Sequence, residues 1–107
     1  MRKPIRIWID ALTPKQGMLA HFIAKRLRDE GFEILITSRK YDYLETLMET
    51  LGEKCIFVGE YGETIYEKLV ADANRILELA PIIKKFSPEV LVSYPSPSAY
   101  RVAYGLK

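Results

Sequence analysis

Cysteine and histidine are almost absent from this sequence: Cys55 and His21 are the only ones. A lone cysteine excludes an intrachain disulfide, and with a single histidine it leaves no ligand set for a metal, so no metal site is expected. Cys55 reads as a small apolar residue in a strand, and pairing it with His21 as nucleophile and base has no support from spacing. His21 falls off the apolar face of its helix, near Lys25 and Arg28, and is expected to be exposed. Long hydrophobic runs are also missing; no segment approaches the ~18 consecutive apolar residues of a membrane span. Nor does one sign of charge dominate. Sixteen basic and fourteen acidic residues leave a net charge of +2 with no basic stripe, which argues against a nucleic-acid partner. Met1-Arg2-Lys3-Pro4 leads straight into a strand pattern without the features of a cleaved leader, so a cytoplasmic location is expected.

What is present is a folded composition. The chain has 107 residues, 49% hydrophobic, with 28% charged residues spread along its length. That fits one domain, 1–107, around one core rather than a disordered tail. Strand and helix patterns alternate. Strand-like segments are Ile5–Ile9, Phe32–Thr37, Cys55–Val58 and Pro88–Ser93, each short and continuously apolar or β-branched. Between them, residues 15–30 form a helical pattern with Met18, Leu19, Phe22, Ile23 and Leu27 on one face, closed by Gly31. A second helix is expected over residues 42–51, ended by Gly52. The longest runs from Thr64 to Phe86, with Leu69, Ala73, Ile76, Leu77, Ala80 and Ile83 as its apolar face. Pro81 removes a backbone donor there and predicts a kink or a break into two helices. A last short helix is expected over residues 96–106.

Buried parallel strands alternating with amphipathic helices predict an α/β fold, a Rossmann-like three-layer sandwich. Right-handed crossovers make a four-stranded parallel sheet in the order 3-2-1-4 the natural arrangement. Ligands of such sheets bind beyond the carboxyl ends of the strands, where the strand order reverses, here between the first and fourth strands. The two loops at that point run from Asp10 to Gly17 and from Ser93 to Ser98.

In the first loop, helix N-terminal amides and Lys15 suit a phosphate or carboxylate, while Asp10 can accept from sugar hydroxyls. Thr13 followed by Pro14 equally suits a plain helix start, a hydroxyl cap and then proline at the first helical position. In the second loop, Ser96 or Ser98 either caps the last helix or forms the other wall of the crevice. Both uses stay open in both loops. Arg39 follows the second strand, where dinucleotide folds usually place an acid, and a solvated surface arginine is its plainer reading. Gly59-Glu60-Tyr61-Gly62 follows the third strand as a turn or a rim loop. Neither the dinucleotide glycine fingerprint nor a phosphate-binding P-loop is present, and no cofactor is expected.

The segments IRIWIDALTPKQ, EGFEILITSRKYDYLETLMETLG, VGEYGE and KKFSPEVLVSYPSPSAYRVAYGL together resemble the N-terminal half of a largely archaeal family, domain-of-unknown-function family 354. That family is itself similar to two-domain GT-B glycosyltransferases and to UDP-N-acetylglucosamine 2-epimerase. The resemblance covers essentially the whole chain. Its members often carry D-x-T-N-P-P-H in the first loop; here Thr13-Pro14-Lys15-Gln16 puts Gln16 where the histidine would stand. The resemblance implies a further strand and a second Rossmann-like domain after a segment like Ala103-Tyr104-Gly105-Leu106. The chain is then the N-terminal half of a longer two-domain protein, or else a naturally short one, and the half alone is expected to lack turnover.

The leading expectation is the acceptor-side domain of a GT-B-like glycosyltransferase or sugar-nucleotide epimerase, taking a sugar or sugar-nucleotide ligand. Asp10 would orient or deprotonate an acceptor hydroxyl, with Thr13, Lys15, Gln16, Gly17, Arg39, Gly62, Ser96 and Ser98 around the ligand. The alternative is a non-catalytic module binding a small anion or a protein. An uncovered sheet edge beside the fourth strand would let two copies pair as a homodimer.

Overall fold

A computed structural model describes residues 3–106 of the chain. Strand β1 (Arg6–Ala11) leads into helix α1 (Pro14–Asp29), and β2 (Glu33–Lys40) into α2 (Leu44–Thr50). Strand β3 (Ile56–Glu60), helix α3 (Ile65–Phe86), strand β4 (Val90–Ser93) and helix α4 (Pro97–Leu106) complete the order. The four strands form one parallel sheet in the order β3-β2-β1-β4, as the alternating pattern predicts. Among the described residues no helix is long and apolar enough to cross a membrane.

Two cores flank the sheet because successive strand residues point to opposite faces. Ile7, Ile9, Ala11 and Ile36 pack with α1 and α2 on one side. Trp8 and Val58 pack with Leu79 and Ile83 of α3 and Ala99 and Val102 of α4 on the other. Register then decides which polar residues meet. Asp10 pairs with Thr37 across β1 and β2, and both lie on the Trp8 side with Arg39 two residues further along β2.

Several local expectations need correcting. Of the expected apolar face of α1, Ile23 and Leu27 pack against the core, but Met18, Leu19 and Phe22 are exposed, and the buried positions are Pro14, Gly17, Ala20 and Ala24. Gly17 lets α1 approach α2 closely: a Cβ there would lie 2.6 Å from Leu44 Cδ1. Helix α3 does not break at Pro81 but runs unbroken through it. Pro81 is on the solvent side, so the carbonyl it leaves unpaired is not trapped in the core. The apolar face of α3 is also displaced. Ile83 and Ile76 of the expected face do reach the core, but its other buried residues are Arg75 and Leu79, while Leu69 and Leu77 are exposed. An arginine in the buried stripe rotates the apparent periodicity. His21 is not free either: its Nδ1 lies 2.9 Å from Glu53 Oε1.

Candidate functional site

The carboxyl end of the sheet is organised by a buried ion pair. Asp10, only 2% exposed, is the penultimate residue of β1 and points toward α3. Arg75 comes from the middle of α3, and its guanidinium donates to both carboxylate oxygens, Nη2 to Oδ1 at 2.6 Å and Nη1 to Oδ2 at 3.0 Å. Thr37 donates to Oδ1 at 2.6 Å, and Ser96 to Oδ2 at 2.7 Å. Each carboxylate oxygen therefore accepts twice, which occupies its lone-pair directions. Trp8 Nε1 donates to Thr37 Oγ1 at 2.7 Å, which orients that hydroxyl toward Asp10.

Arg75 is equally complete. Its Nε donates to the Val58 carbonyl, Nη1 also to Ser98 Oγ, and Nη2 also to the Ser38 carbonyl. Room for it depends on Gly59, at φ 86°: a Cβ there would meet the Arg75 Cγ and Cδ at 3.0 Å. The pair thus ties β1, β2, β3, α3 and α4 together at one point.

Beside this point opens a cavity of about 300 Å³, lined by Leu12, Arg39, Tyr61, Gly62, Lys68 and Ser98 among others, with Glu60 and Asp72 as its acids. Arg39 lies within β2 rather than after it, because pairing with β3 resumes at Lys40 opposite Glu60 past an irregularity between Ser38 and Lys40. Irregularities of this kind re-aim side chains next to functional sites. The Arg39 guanidinium lies 5.3 and 5.2 Å from the rings of Tyr41 and Tyr61, which stack on each other. Its Nε is buried without a hydrogen-bond partner, and no carboxylate pairs with it among the described residues. Burial and the neighbouring Arg75 charge pull its pKa below the ordinary arginine value. Arg39 is thus a half-buried cation with no anion of its own.

The structure divides the residues singled out in the sequence into three groups. Arg39, Gly62 and Ser98 line the cavity, and Asp10 and Ser96 lie behind its wall, joined to it through Arg75. Thr13, Gln16 and Gly17 have local duties. Thr13 caps α1 by accepting from the Gln16 amide at 3.3 Å, Gln16 Oε1 accepts from the Leu12 amide at 2.9 Å, and Gly17 packs under Leu44. Lys15 is exposed and outside the cavity lining. Ser96 caps α4, accepting from the Ala99 amide at 3.4 Å.

Arg75, Thr37, Tyr41 and Lys68 are not among the residues the sequence singles out, and Tyr61 enters there only within the rim loop of residues 59–62. For Thr37 the signal was available: alternation along β2 and parallel register with β1 put it beside Asp10. Arg75 was legible only as the charge that interrupts the apolar stripe of α3.

Elsewhere, Glu53 is held by Arg28 (2.8 and 3.1 Å) and His21. Burial acts to raise its pKa, but hydrogen bonds from those two groups more than offset this and keep it below the usual carboxylate value. Burial pushes the Cys55 thiol up to about 11, so it is neutral and unreactive near neutral pH.

Over 102 residues the chain is 32% identical to an uncharacterized protein of Methanocaldococcus jannaschii, MJ0665, a match covering 94% of this chain and 29% of that protein. The chain thus spans less than a third of that relative's length. The model of a family described as "Protein of unknown function (DUF354)" matches residues 5–107, and the chain belongs to that family.

Proposed function

We propose that this chain is a ligand-binding domain whose crevice holds the anionic group of a small, hydroxyl-rich ligand on Arg39, as the acceptor-side domain of a GT-B-like glycosyltransferase or sugar-nucleotide epimerase. The observation that carries the reading is Arg39 itself, with its Nε buried and unpartnered at the wall of the cavity. Leaving a buried donor unmet costs about 1–3 kcal/mol, and an incoming phosphate or carboxylate removes that cost. Lys68 lies on the same cavity, and Glu60 and Asp72 offer acceptors for hydroxyls. The sugar and transferase elements of the proposal come from the resemblance in the loop sequences.

One observation favours a purely binding role for this half. Both Asp10 oxygens are already engaged with Arg75, Thr37 and Ser96, so Asp10 serves as the anchor of the crevice and has no free lone pair with which to take a proton. Lys15 and the first turn of α1 are assigned no ligand contact.

The test is an amide NMR titration with inorganic phosphate, glucuronate and UDP-N-acetylglucosamine, alongside the Arg39→Gln variant. Shifts centred on Arg39, Gly62 and Ser98 that disappear in the variant are expected. Shifts centred instead on Thr13 to Gly17, or equal responses in both proteins, would overturn the assignment.

A further inference from the structure

The outward face of α3 is an apolar seam with nothing covering it among the described residues. Tyr66, Val70, Ala73, Leu77 and Ala80 recur at alternating four- and three-residue steps, the spacing by which one helix presents a continuous strip to another. Tyr66 and Leu77 are each 73% exposed, with Ile65 (89%) and Leu69 (67%) beside them. The buried residues of the helix, Arg75, Leu79 and Ile83, lie on the opposite side. The seam is therefore additional to the core face, and it extends about 21 Å at 1.5 Å per residue. Exposed apolar strips of this kind mark association surfaces.

Charge at its ends indicates the occupant. Glu63 precedes the seam and Glu67 lies in its first turn, while Lys84 and Lys85 lie in the last turn of α3. An antiparallel copy of the same helix sets the acidic end of each against the basic end of the other. A parallel copy would oppose like charges. Ala73 sits near the midpoint, where a small side chain lets two helix backbones approach, and two-fold pairing there puts Val70 of one copy beside Leu77 of the other. A self-complementary patch of this sort is what a two-fold dimer requires.

We propose that two copies of the chain associate through antiparallel packing of their α3 helices. The dimer leaves β4 and its edge free, and it does not depend on the ligand reading of the crevice.

Sedimentation equilibrium of the 107-residue chain from about 1 to 300 µM tests it. The wild type is expected to form a concentration-dependent dimer. Leu77→Glu is expected to weaken association by about a hundredfold, the loss typical of removing a central interface anchor. Because Leu77 is largely exposed, circular dichroism of the variant should match the wild type. Val70→Lys combined with Leu77→Glu is expected to regain the dimer, since antiparallel pairing puts the new lysine beside the partner's new glutamate. If Leu77→Glu does not fold, the surface pair Glu63→Lys and Lys84→Glu gives the same reading, each alone weakening the dimer a few-fold and both together restoring it. A wild-type monomer throughout would overturn the proposal and assign the seam to a different partner. A dimer indifferent to Leu77→Glu would overturn it in favour of pairing along β4.

Discussion

Two arginines border the same crevice, and the fold treats them in opposite ways. Arg75 is buried with five hydrogen bonds, two of them to Asp10. Arg39 sits against two tyrosine rings with its Nε unmet. A buried charge is tolerated when partner and hydrogen bonds are complete, and such a cation belongs to the framework. A half-buried charge lacking both is a standing cost, and under the proposed function the anion of the ligand supplies the missing acceptor. The difference separates what builds this site from what the site presents.

The comparison is broken most severely by removing the framework anion. Asp10→Ala leaves the Arg75 charge buried without its counter-ion, a loss of about 3–5 kcal/mol. Domains of this size have roughly 5–15 kcal/mol in total. Urea unfolding should therefore show a midpoint far below wild type or no cooperative transition. Asp10→Asn with Arg75→Met should be less damaging than the sum of the two single changes, because the pair acts as a unit. Strict additivity would mean that the two side chains do not depend on each other.

The rim beside Arg39 is broken by shape instead of charge. A Cβ on Gly62 would lie 2.5 Å from the backbone carbon of Glu67 and the nitrogen of Lys68. Those atoms belong to the first turn of α3, where Thr64 and Glu67 form a reciprocal cap. Nothing there is a flexible side-chain end, so Gly62→Ala should cost about 2 kcal/mol and weaken phosphate binding as Tyr61 shifts. Thermal unfolding and the phosphate titration read the two effects separately.

A third ionic cluster, away from the crevice, provides the control. Glu53 has a depressed folded pKa, so its stabilisation is present above the unfolded carboxylate pKa of about 4.5 and is lost as pH falls through its own lower value. Glu53→Gln should cost about 1–2 kcal/mol near neutral pH. It should also flatten the loss of melting temperature below about pH 4.5 without altering phosphate binding. An acid limb as steep in the variant as in the wild type would assign that limb to other carboxylates.

These contrasts were unevenly legible in the sequence. Sheet order and direction followed from short apolar strands between helices, and the reversal point led to Asp10, Ser96 and Ser98, all of which touch or adjoin the crevice wall. Helix faces read less well where size mattered more than hydrophobicity. Gly17, Ala20 and Ala24 are buried on α1 with Ile23 and Leu27 packed beside them, while the larger Met18 and Phe22 remain outside. Arg75 stayed hidden because a charged residue in a buried stripe resembles a surface position until its partner is found 65 residues away. Arg39 stands out in the sequence by its place after the second apolar strand pattern. Its isolation became visible only when the rings of Tyr41 and Tyr61 met beside it.

The smallest expected effect on stability sharpens the comparison most. Arg39→Gln removes a guanidinium that burial and Arg75 both disfavour, which stabilises the fold. It also removes contacts with two aromatic rings worth about 0.5–1 kcal/mol each. These terms oppose each other, and the net change in urea unfolding should stay within about 1 kcal/mol. Affinity for phosphate should nonetheless fall by tenfold or more, since a charge-assisted hydrogen bond is worth about 1.5–3 kcal/mol. A residue whose loss leaves the fold in place but removes the ligand presents the site. If Arg39→Gln instead destabilised the domain as Asp10→Ala does, the two arginines would both be framework, and of the cations lining the crevice Lys68 would be left to meet a ligand's anion.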